Sequence, residues 1–91
     1  MEIKKGSNCF YVGENQEQSE AIITFRFEDE RTIIIDHTYV DQKFRGQGLA
    51  RELVNAVVDY ARKEKLLIHP LCSYARKVLQ EDQYDDIRKE R

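Results

Sequence analysis

Two runs of apolar residues near the middle of the chain predict neighbouring strands. The run Thr32–Val40 (TIIIDHTYV) is rich in β-branched and aromatic residues, and its isoleucines serve both faces of a strand. Residues 21–27 (AIITFRF) show partial alternation with apolar residues on both phases. The charged residues 28–31 between them have the length of a hairpin connection. The pattern therefore predicts an antiparallel pair in which the later strand is central.

Two shorter runs predict strands at either end of this pair. Residues 8–12 include Cys-Phe-Tyr-Val and are followed by a Gly-Glu-Asn turn signal, so they predict the first strand of a meander. Residues 66–69 (LLIH) predict the last strand, which Pro70 ends because proline has no N–H to donate.

Helical periodicity fills the segment before this last strand. The helix is predicted to begin near Gln47 or Gly48 and to end at residues 63–65, and its apolar stripe consists of Ala50, Leu53, Val54, Val57, Tyr60 and Ala61. A strand, a helix and a strand in series predict a right-handed crossover with parallel strands. Ser73 is a candidate N-cap for a second, shorter helix with an apolar stripe of Tyr74, Ala75, Val78 and Leu79.

These elements predict an α+β (α/β layered) fold in one domain over residues 1–91. An antiparallel meander is followed by a strand-helix-strand crossover and a C-terminal helix. Residues 81–91 form a charged tail in which Tyr84 and Ile87 are the plausible anchors.

Composition limits the classes of function. The chain is 41% hydrophobic and 35% charged, and it has no stretch of about 20 apolar residues, so we expect no membrane span. The amino terminus has no apolar signal segment, which favours a cytoplasmic protein, and we expect a monomer. A net charge of −2 argues against general nucleic-acid binding. Cys9 and Cys72 lack metal-ligand spacing, so we expect free thiols and no metal site.

The stretch Arg45-Gly46-Gln47-Gly48-Leu49-Ala50 is a candidate anion site. Glycines allow a sharp turn and close approach of a ligand, and the first N–H groups of a helix have no intrahelical acceptor. Lys43, Arg45 and Arg51 add local positive charge. The alternative is an ordinary glycine-containing connection into a surface helix.

The same stretch fits the R/Q-x-x-G-x-G/A signature of the GNAT acetyltransferase superfamily, and it lies between a long strand and a long helix as it does there. Asp36-His37-Thr38-Tyr39-Val40 before it and Pro70-Leu71-Cys72-Ser73-Tyr74 after it resemble a compact GNAT-like, acetyl-CoA-binding subgroup. The resemblance extends from about Asn8 to Tyr84. It implies a compact GNAT-like fold that uses acetyl-CoA as cosubstrate.

The resemblance also implies positions for that cosubstrate. Backbone N–H groups would hold its pyrophosphate, and the edge at Tyr39 and Val40 would bind its pantetheine arm like an added strand. The implied residues of the loop and helix start are Arg45, Gly46, Gln47, Gly48, Leu49, Ala50 and Arg51. In typical members the two parallel strands separate, and the cosubstrate occupies the opening.

Catalytic residues are less clear from the resemblance. Typical members carry Asn, Ala and Tyr in the final helix, with Tyr as general acid, whereas Cys72, Ala75 and Leu79 stand at those places here. The chain also lacks the helices after the first strand and the final pair of strands.

Cys72 is a candidate nucleophile because a thiol at a helix N-terminus can have a lowered pKa, and the subgroup resembles this chain in carrying Cys there. The alternative is a small buried apolar residue. His37 is a candidate base, and its alternative is a strand histidine hydrogen-bonded to a neighbour. For His69 and Cys9 we expect structural roles. Tyr74 either donates near the thiol or belongs to the core.

The leading hypothesis is therefore transfer of acetyl from acetyl-CoA to a small-molecule or protein amine, either directly or through Cys72. One alternative is a CoA-binding or acyl-CoA-binding module without transfer activity. A second is a protein-interaction domain with a vestigial loop.

Overall fold

The computed structural model describes residues 2–89 and contains a mixed sheet of five strands with two α-helices, an α+β architecture. Strand order in the sheet follows chain order, with antiparallel pairs up to β4 and a parallel pair between β4 and β5. The elements are β1 Lys4–Gly6, β2 Cys9–Gly13, β3 Ser19–Asp29, β4 Thr32–Val40, α1 Leu49–Glu64, β5 Leu67–Pro70 and α2 Ser73–Val78. The predicted meander and parallel crossover are confirmed.

Two features of the sheet differ from the sequence prediction. Strand β1 was not predicted, because its residues alternate poorly. In the structure, each residue of β1 nevertheless pairs with a residue of β2. Strand β3 continues to Asp29, so the connection predicted over 28–31 is too long and only Glu30 and Arg31 lie between paired residues. The Asp29 carboxylate accepts a hydrogen bond from the Arg31 N–H at 2.8 Å, and this local bond allows so tight a turn.

Helix α1 covers one face of the sheet. Gly48 is its N-cap in the left-handed region, and Lys65 closes its C-terminus in the same region by donating to the carbonyls of Ala61 and Arg62. The buried residues of the helix are Leu49, Leu53, Val54, Val57, Val58 and Ala61. They pack with inward side chains of the strands and with Ala75, Val78 and Leu79 of the α2 segment in one core.

The predicted cap of α2 is wrong by one residue. Cys72, rather than Ser73, is the N-cap; its backbone is extended, and its carbonyl accepts the first helical bond from the Arg76 N–H at 2.9 Å. The N–H groups of Leu71 and Cys72 both donate to the Ile35 carbonyl, at 3.0 and 3.1 Å. This bond to β4 fixes Cys72 in the extended conformation, so the helix begins immediately afterwards.

The charged C-terminal segment packs against the domain. Tyr84 and Ile87 are buried, as the sequence predicted, and the Tyr84 hydroxyl donates to Asn55 Oδ1 at 2.7 Å. The Ile68 N–H donates to the Ile87 carbonyl, and the Lys89 N–H donates to the Ile68 carbonyl. Residues 1, 90 and 91 lie outside the described residues. Across 2–89, no helix has the length and apolar character needed to cross a membrane.

The fully buried side chain of Leu53 supports the α1–sheet interface, so Leu53→Ala should lower the free energy of unfolding by about 3 kcal/mol. Leu67→Ala is the matched control, since 38% of Leu67 is exposed, and its cost should stay below about 1 kcal/mol. Urea unfolding followed by circular dichroism measures both, and equal losses would contradict this account of the core.

Candidate functional site

A β-bulge in β4 sets the geometry of the candidate site. Thr24 pairs with His37 and Phe25 pairs with Ile35, so Asp36 is an extra residue in β4. Its carboxylate accepts hydrogen bonds from Thr24 Oγ1 at 2.5 Å and from Arg26 Nη1 at 3.0 Å. Because side chains alternate along a strand, the extra residue reverses which of the following side chains face the helices. Thr38 and Val40 consequently face the helices, and His37 and Tyr39 face the other side of the sheet.

The parallel pairing of β4 with β5 ends at the same point. Its last pair is Ile35 with Pro70, and proline has no N–H with which to continue the ladder. Residues 36–40 of β4 therefore have an open edge on the side on which residues 32–35 pair with β5. This is the separation of the two parallel strands that the family resemblance implied.

The hydrogen-bond pattern identifies which backbone groups face this edge. The Asp41 N–H donates to the Glu20 carbonyl at 2.8 Å, and hydrogen-bonded pairs alternate along an antiparallel ladder. Tyr39 therefore pairs with β3, while Thr38 and Val40 direct their N–H and C=O groups to the edge. Of the two predicted edge residues, Val40 has its backbone there and Tyr39 has a side chain that is 41% exposed on the opposite face.

The glycine turn presents backbone donors at the start of α1. Within the described chain, the N–H groups of residues 46–51 have no hydrogen-bond acceptor, and the first helical bond runs from Glu52 N–H to the Gly48 carbonyl. Gly46 and Gly48 have φ of +83° and +78°, which favours glycine, and a Cβ on either would meet no atom within 4 Å. The turn thus surrounds open space with unpaired donors, the arrangement that suits an anion.

A groove of about 270 Å³ connects this turn to the open edge of β4. We refer to it as the glycine groove; it is lined by Val40, Phe44, Arg45, Gly46, Gly48, Leu49, Ala50 and Tyr74. Six of the predicted cofactor-binding residues therefore line one cavity, and Tyr39, Gln47 and Arg51 do not.

The cations around the groove already have partners. Arg45 Nε donates to the Val40 carbonyl at 3.1 Å, so this side chain joins the turn to the strand edge. Arg51 forms two hydrogen bonds with the Glu81 carboxylate, the shorter at 2.6 Å, and these bonds raise the pKa of the guanidinium. Lys43 pairs with Glu20 at 3.3 Å. The backbone N–H groups of residues 46–51 are thus unpaired donors, within the described chain, at a turn whose cations each have at least one partner.

The thiol of Cys72 lies beside the inward-facing Thr38. Cys72 Sγ donates to Thr38 Oγ1 at 3.5 Å, and the residue is partly buried against the core. Burial is the largest influence on the pKa of this thiol and raises it, but hydrogen bonds from the Thr38 hydroxyl and from the N–H groups of Ala75, Tyr74 and Thr38 outweigh burial. The net effect is a pKa below the ordinary value, which increases the fraction of the thiol present as thiolate.

His37 is not brought together with Cys72. Its neighbour Thr38 contacts the thiol, and adjacent strand residues point to opposite faces, so the His37 imidazole is exposed on the face away from the helices. Within the described part of the chain this imidazole has no hydrogen-bonding partner, so it is not the hydrogen-bonded strand histidine that we had considered as its alternative role.

The other candidates have structural surroundings. His69 Nδ1 lies 3.2 Å from Glu28 Oε1, and Lys89 Nζ lies 2.6 Å from the other oxygen of the same carboxylate. Cys9 is buried, and burial raises the pKa of its thiol. Leu79 is completely buried, so the position of the usual general acid contributes only to the core.

Sequence reasoning missed Thr38 and Phe44. The role of Thr38 depends on the bulge at Asp36, for which the sequence gives no clear signal. Phe44 belongs to a short 3₁₀ turn, Gln42–Phe44, that follows β4 and places its ring in the glycine groove. Tyr74, for which the sequence leaves open a core role or a hydrogen bond near the thiol, is half-buried in the wall of the glycine groove.

Comparison with known proteins places this geometry in a family. A family model described as GCN5-related N-acetyl-transferase matches residues 9–87. A GCN5-like protein from Staphylococcus aureus, solved by NMR, has 43% sequence identity and a TM-score of 0.82, and the alignment covers 99% of this chain and 89% of that one.

Curated relatives agree with this assignment. Protein NATD1 of Xenopus tropicalis is 32% identical over 73 residues, which are 80% of this chain and 67% of that protein. Protein NATD1 of Homo sapiens is 30% identical over 73 residues, which are 65% of its length. The chain thus spans about two thirds of the length of these relatives. With the family model matching most of its residues and a solved member sharing its fold, the chain belongs to the GCN5-related N-acetyltransferase family.

Proposed function

We propose that this protein binds acetyl-CoA in the glycine groove and transfers its acetyl group to an amine. The observation that carries the proposal is the continuity of the groove. Unpaired N–H groups of residues 46–51 stand at one end, the open edge of β4 forms its wall, and Tyr74 extends that wall to the α2 segment that begins at Cys72. An elongated molecule with an anionic middle and a thioester end matches these features in order.

Each part of the groove has a proposed task. The N–H groups from Gly46 to Arg51 hold the pyrophosphate, and the left-handed glycines keep the space in front of them empty. Backbone groups of Thr38 and Val40 bind the pantetheine arm as an added strand would. Because the Val40 carbonyl already accepts from Arg45 and the Thr38 N–H donates to the Cys72 sulfur, the arm either shares these groups or displaces their partners.

Transfer through Cys72 is the route that the thiol's surroundings support. The Cys72 thiolate attacks the thioester carbonyl carbon, a new sulfur–carbon bond forms, and the bond to the CoA sulfur breaks with release of CoA thiolate. A neutral amine then attacks the acetyl-cysteine, the Cys72 thiolate leaves, and the amine proton passes to solvent or to a base on the acceptor side. The N–H groups of Ala75, Tyr74 and Thr38, which donate to the Cys72 sulfur, stabilise the thiolate that attacks in the first step and leaves in the second.

His37 remains a proposed base for the acceptor amine, separate from activation of the thiol. Its exposed position on the open face of the sheet lets a bulky acceptor approach, and the described chain has no further strands to enclose that side. The acceptor is thus an amine on a small molecule or on a protein.

We further propose that residues 1–91 form one domain that acts as a cytoplasmic monomer. The cytoplasm is a reducing compartment, which keeps both cysteines as the thiols seen here.

A second candidate function is binding of CoA or acyl-CoA without transfer. The observation in its favour is Leu79, a buried aliphatic residue at the place where typical family members carry the general acid. The two functions share the groove and differ in whether Cys72 becomes acetylated.

Titration with acetyl-CoA, followed by amide chemical shifts, should perturb residues 45–51 together with Thr38 and Val40. Gly48→Val should lower the affinity by more than tenfold, because the side chain fills the space before the donors, and should cost about 1–2 kcal/mol of stability through its left-handed backbone. Lys65→Val is the matched control: it adds a β-branched residue at the other left-handed end of α1 and should leave affinity unchanged. An unperturbed spectrum at millimolar acetyl-CoA would refute both candidate functions.

Incubation with acetyl-CoA should add one acetyl group to the protein, measured by intact mass. Cys72→Ala should abolish the adduct, whereas Cys9→Ala should retain it, because Cys9 is buried away from the groove. An unmodified wild-type mass together with confirmed binding would leave direct transfer or binding alone.

Alkylation of Cys72 by iodoacetamide should follow its lowered pKa. The thiolate is the reactive form, so the pH midpoint of the rate should lie below that of an ordinary cysteine. Thr38→Val should move the midpoint upward by removing a hydroxyl donor to the thiolate, and Thr38→Ser should restore it. A wild-type midpoint at or above the ordinary value would contradict the account of the thiol.

A further inference from the structure

A groove of about 390 Å³ lies at the edge of the sheet, between β5, α2 and the C-terminal segment. We refer to it as the edge groove; its walls include His69, Leu71, Arg76, Gln80, Arg88 and Lys89. It shares no lining residue with the glycine groove, so acetyl-CoA in the glycine groove would leave the edge groove accessible to a second ligand. Its volume suits a small molecule, since such sites typically measure about 300–1,000 Å³.

One end of the edge groove lies beside Cys72. Leu71, which directly precedes Cys72, is 44% exposed in the groove wall. The Arg76 N–H donates to the Cys72 carbonyl at 2.9 Å, so Arg76 follows Cys72 by one helical turn, about 5.4 Å along the axis of α2. The Leu71 N–H donates to the carbonyl of Ile35 in β4, two residues before His37. A ligand in the edge groove can therefore extend towards the thiol and towards the proposed base.

Two of the cations in the groove wall have carboxylate partners. Arg88 forms an ion pair with Asp85, and Lys89 Nζ lies 2.6 Å from Glu28 Oε2. His69 Nδ1 lies 3.2 Å from the other oxygen of the Glu28 carboxylate. These pairs hold the C-terminal side of the groove in place and balance its charge.

Arg76 is the cation of the groove that is not balanced. Its guanidinium forms no hydrogen bond or ion pair with another residue of the described chain. The three permanent cations of the wall, Arg76, Arg88 and Lys89, are accompanied by two carboxylates, which leaves one positive charge over. A single carboxylate would neutralise this charge, and a planar guanidinium can bind such a group through two parallel hydrogen bonds. Gln80, four residues after Arg76, supplies an amide donor to the same groove.

We infer that the edge groove binds the acceptor, and that the acceptor is a small amine that carries a carboxylate. Arg76 and Gln80 hold the carboxylate, and the amine reaches the acetyl group beside Cys72. The neutral amine attacks the acetyl carbonyl carbon and a nitrogen–carbon bond forms. The sulfur–carbon bond breaks, the sulfur leaves as thiolate, and one amine proton passes to His37 or to solvent. The inference rests on the proposed function, because it assumes that the acetyl group is presented beside Cys72.

The test compares aminocarboxylates with amines of the same length that lack the acid. The pairs are γ-aminobutyrate with n-butylamine and ε-aminocaproate with n-hexylamine, and mass spectrometry quantifies the N-acetyl products at saturating acetyl-CoA. Within at least one pair, the acid should have a kcat/KM about tenfold above that of the plain amine, as expected for a charge-assisted bidentate contact. The ratio should fall as salt is raised, because exposed charges are screened.

Arg76→Gln should remove most of this preference by raising KM for the acid, while the plain amine is unaffected. Arg76→Glu should reverse the preference, because the introduced negative charge repels the acid. Lys77→Gln is the matched control: Lys77 is the next residue of α2, is exposed, and lines a different cavity, so its loss should leave the preference intact. Both replaced side chains are exposed, so the variants should remain folded.

The possible failures are distinguishable. Equal acetylation of acid and plain amine in both pairs, no product from either acid, or equal effects of Arg76→Gln and Lys77→Gln would overturn the edge groove as the acceptor site. Binding of acetyl-CoA and transfer to another amine would still stand in those cases. Failure of acetyl-CoA to bind would overturn the proposed function and the acceptor site with it.

Discussion

The extra residue at Asp36 is the constraint on which the site depends. Thr24 and Arg26 hold its carboxylate on the outer face of the sheet, so β4 cannot return to regular pairing without breaking two hydrogen bonds. With the bulge in place, Thr38 faces the helices and contacts the Cys72 thiol. The same bend falls where Pro70 ends the parallel ladder, and together they open the edge that the groove follows.

The site relies on backbone donors more than on charged side chains. Arg45, Lys43 and Arg51 are each bound to a carbonyl or a carboxylate, whereas the N–H groups of the glycine turn have no acceptor in the described chain. The paired cations hold the turn against β4, β3 and the C-terminal segment. A turn fixed from three sides keeps its donors convergent, so an anion can bind with little ordering of the protein.

The surroundings of Cys72 balance two opposing effects. Burial disfavours a thiolate, and four hydrogen-bond donors favour it, with the donors prevailing. At the other end of α2, Leu79 fills the core at the position where typical members of the family carry an acid. The thiol and the hydrogen-bond donors of this helix therefore lie at its N-terminal end, and its C-terminal end contributes to the core.

Much of this arrangement was predictable from local patterns in the sequence. Short runs of apolar, β-branched and aromatic residues predicted β2, β3, β4 and β5, the apolar stripe predicted α1, and the glycine signature predicted the turn. Features that depend on tertiary hydrogen bonds were not predictable. The cap at Cys72 follows from two bonds to Ile35, and the exposure of His37 on the outer face follows from the bulge. Arg51 was expected at the anion site because its partner, Glu81, is distant in sequence.

The order of strands in the sheet has a consequence for folding. Each antiparallel pair joins consecutive strands, so β1 to β4 can form through short loops. The parallel pair of β4 and β5 joins strands that are separated by α1, so we expect it to form after the hairpins, and it has four register pairs. The groove is complete only after this late contact closes. A ligand that spans the turn, β4 and α2 would therefore stabilise this contact, and its binding would link the protein's stability to the ligand concentration.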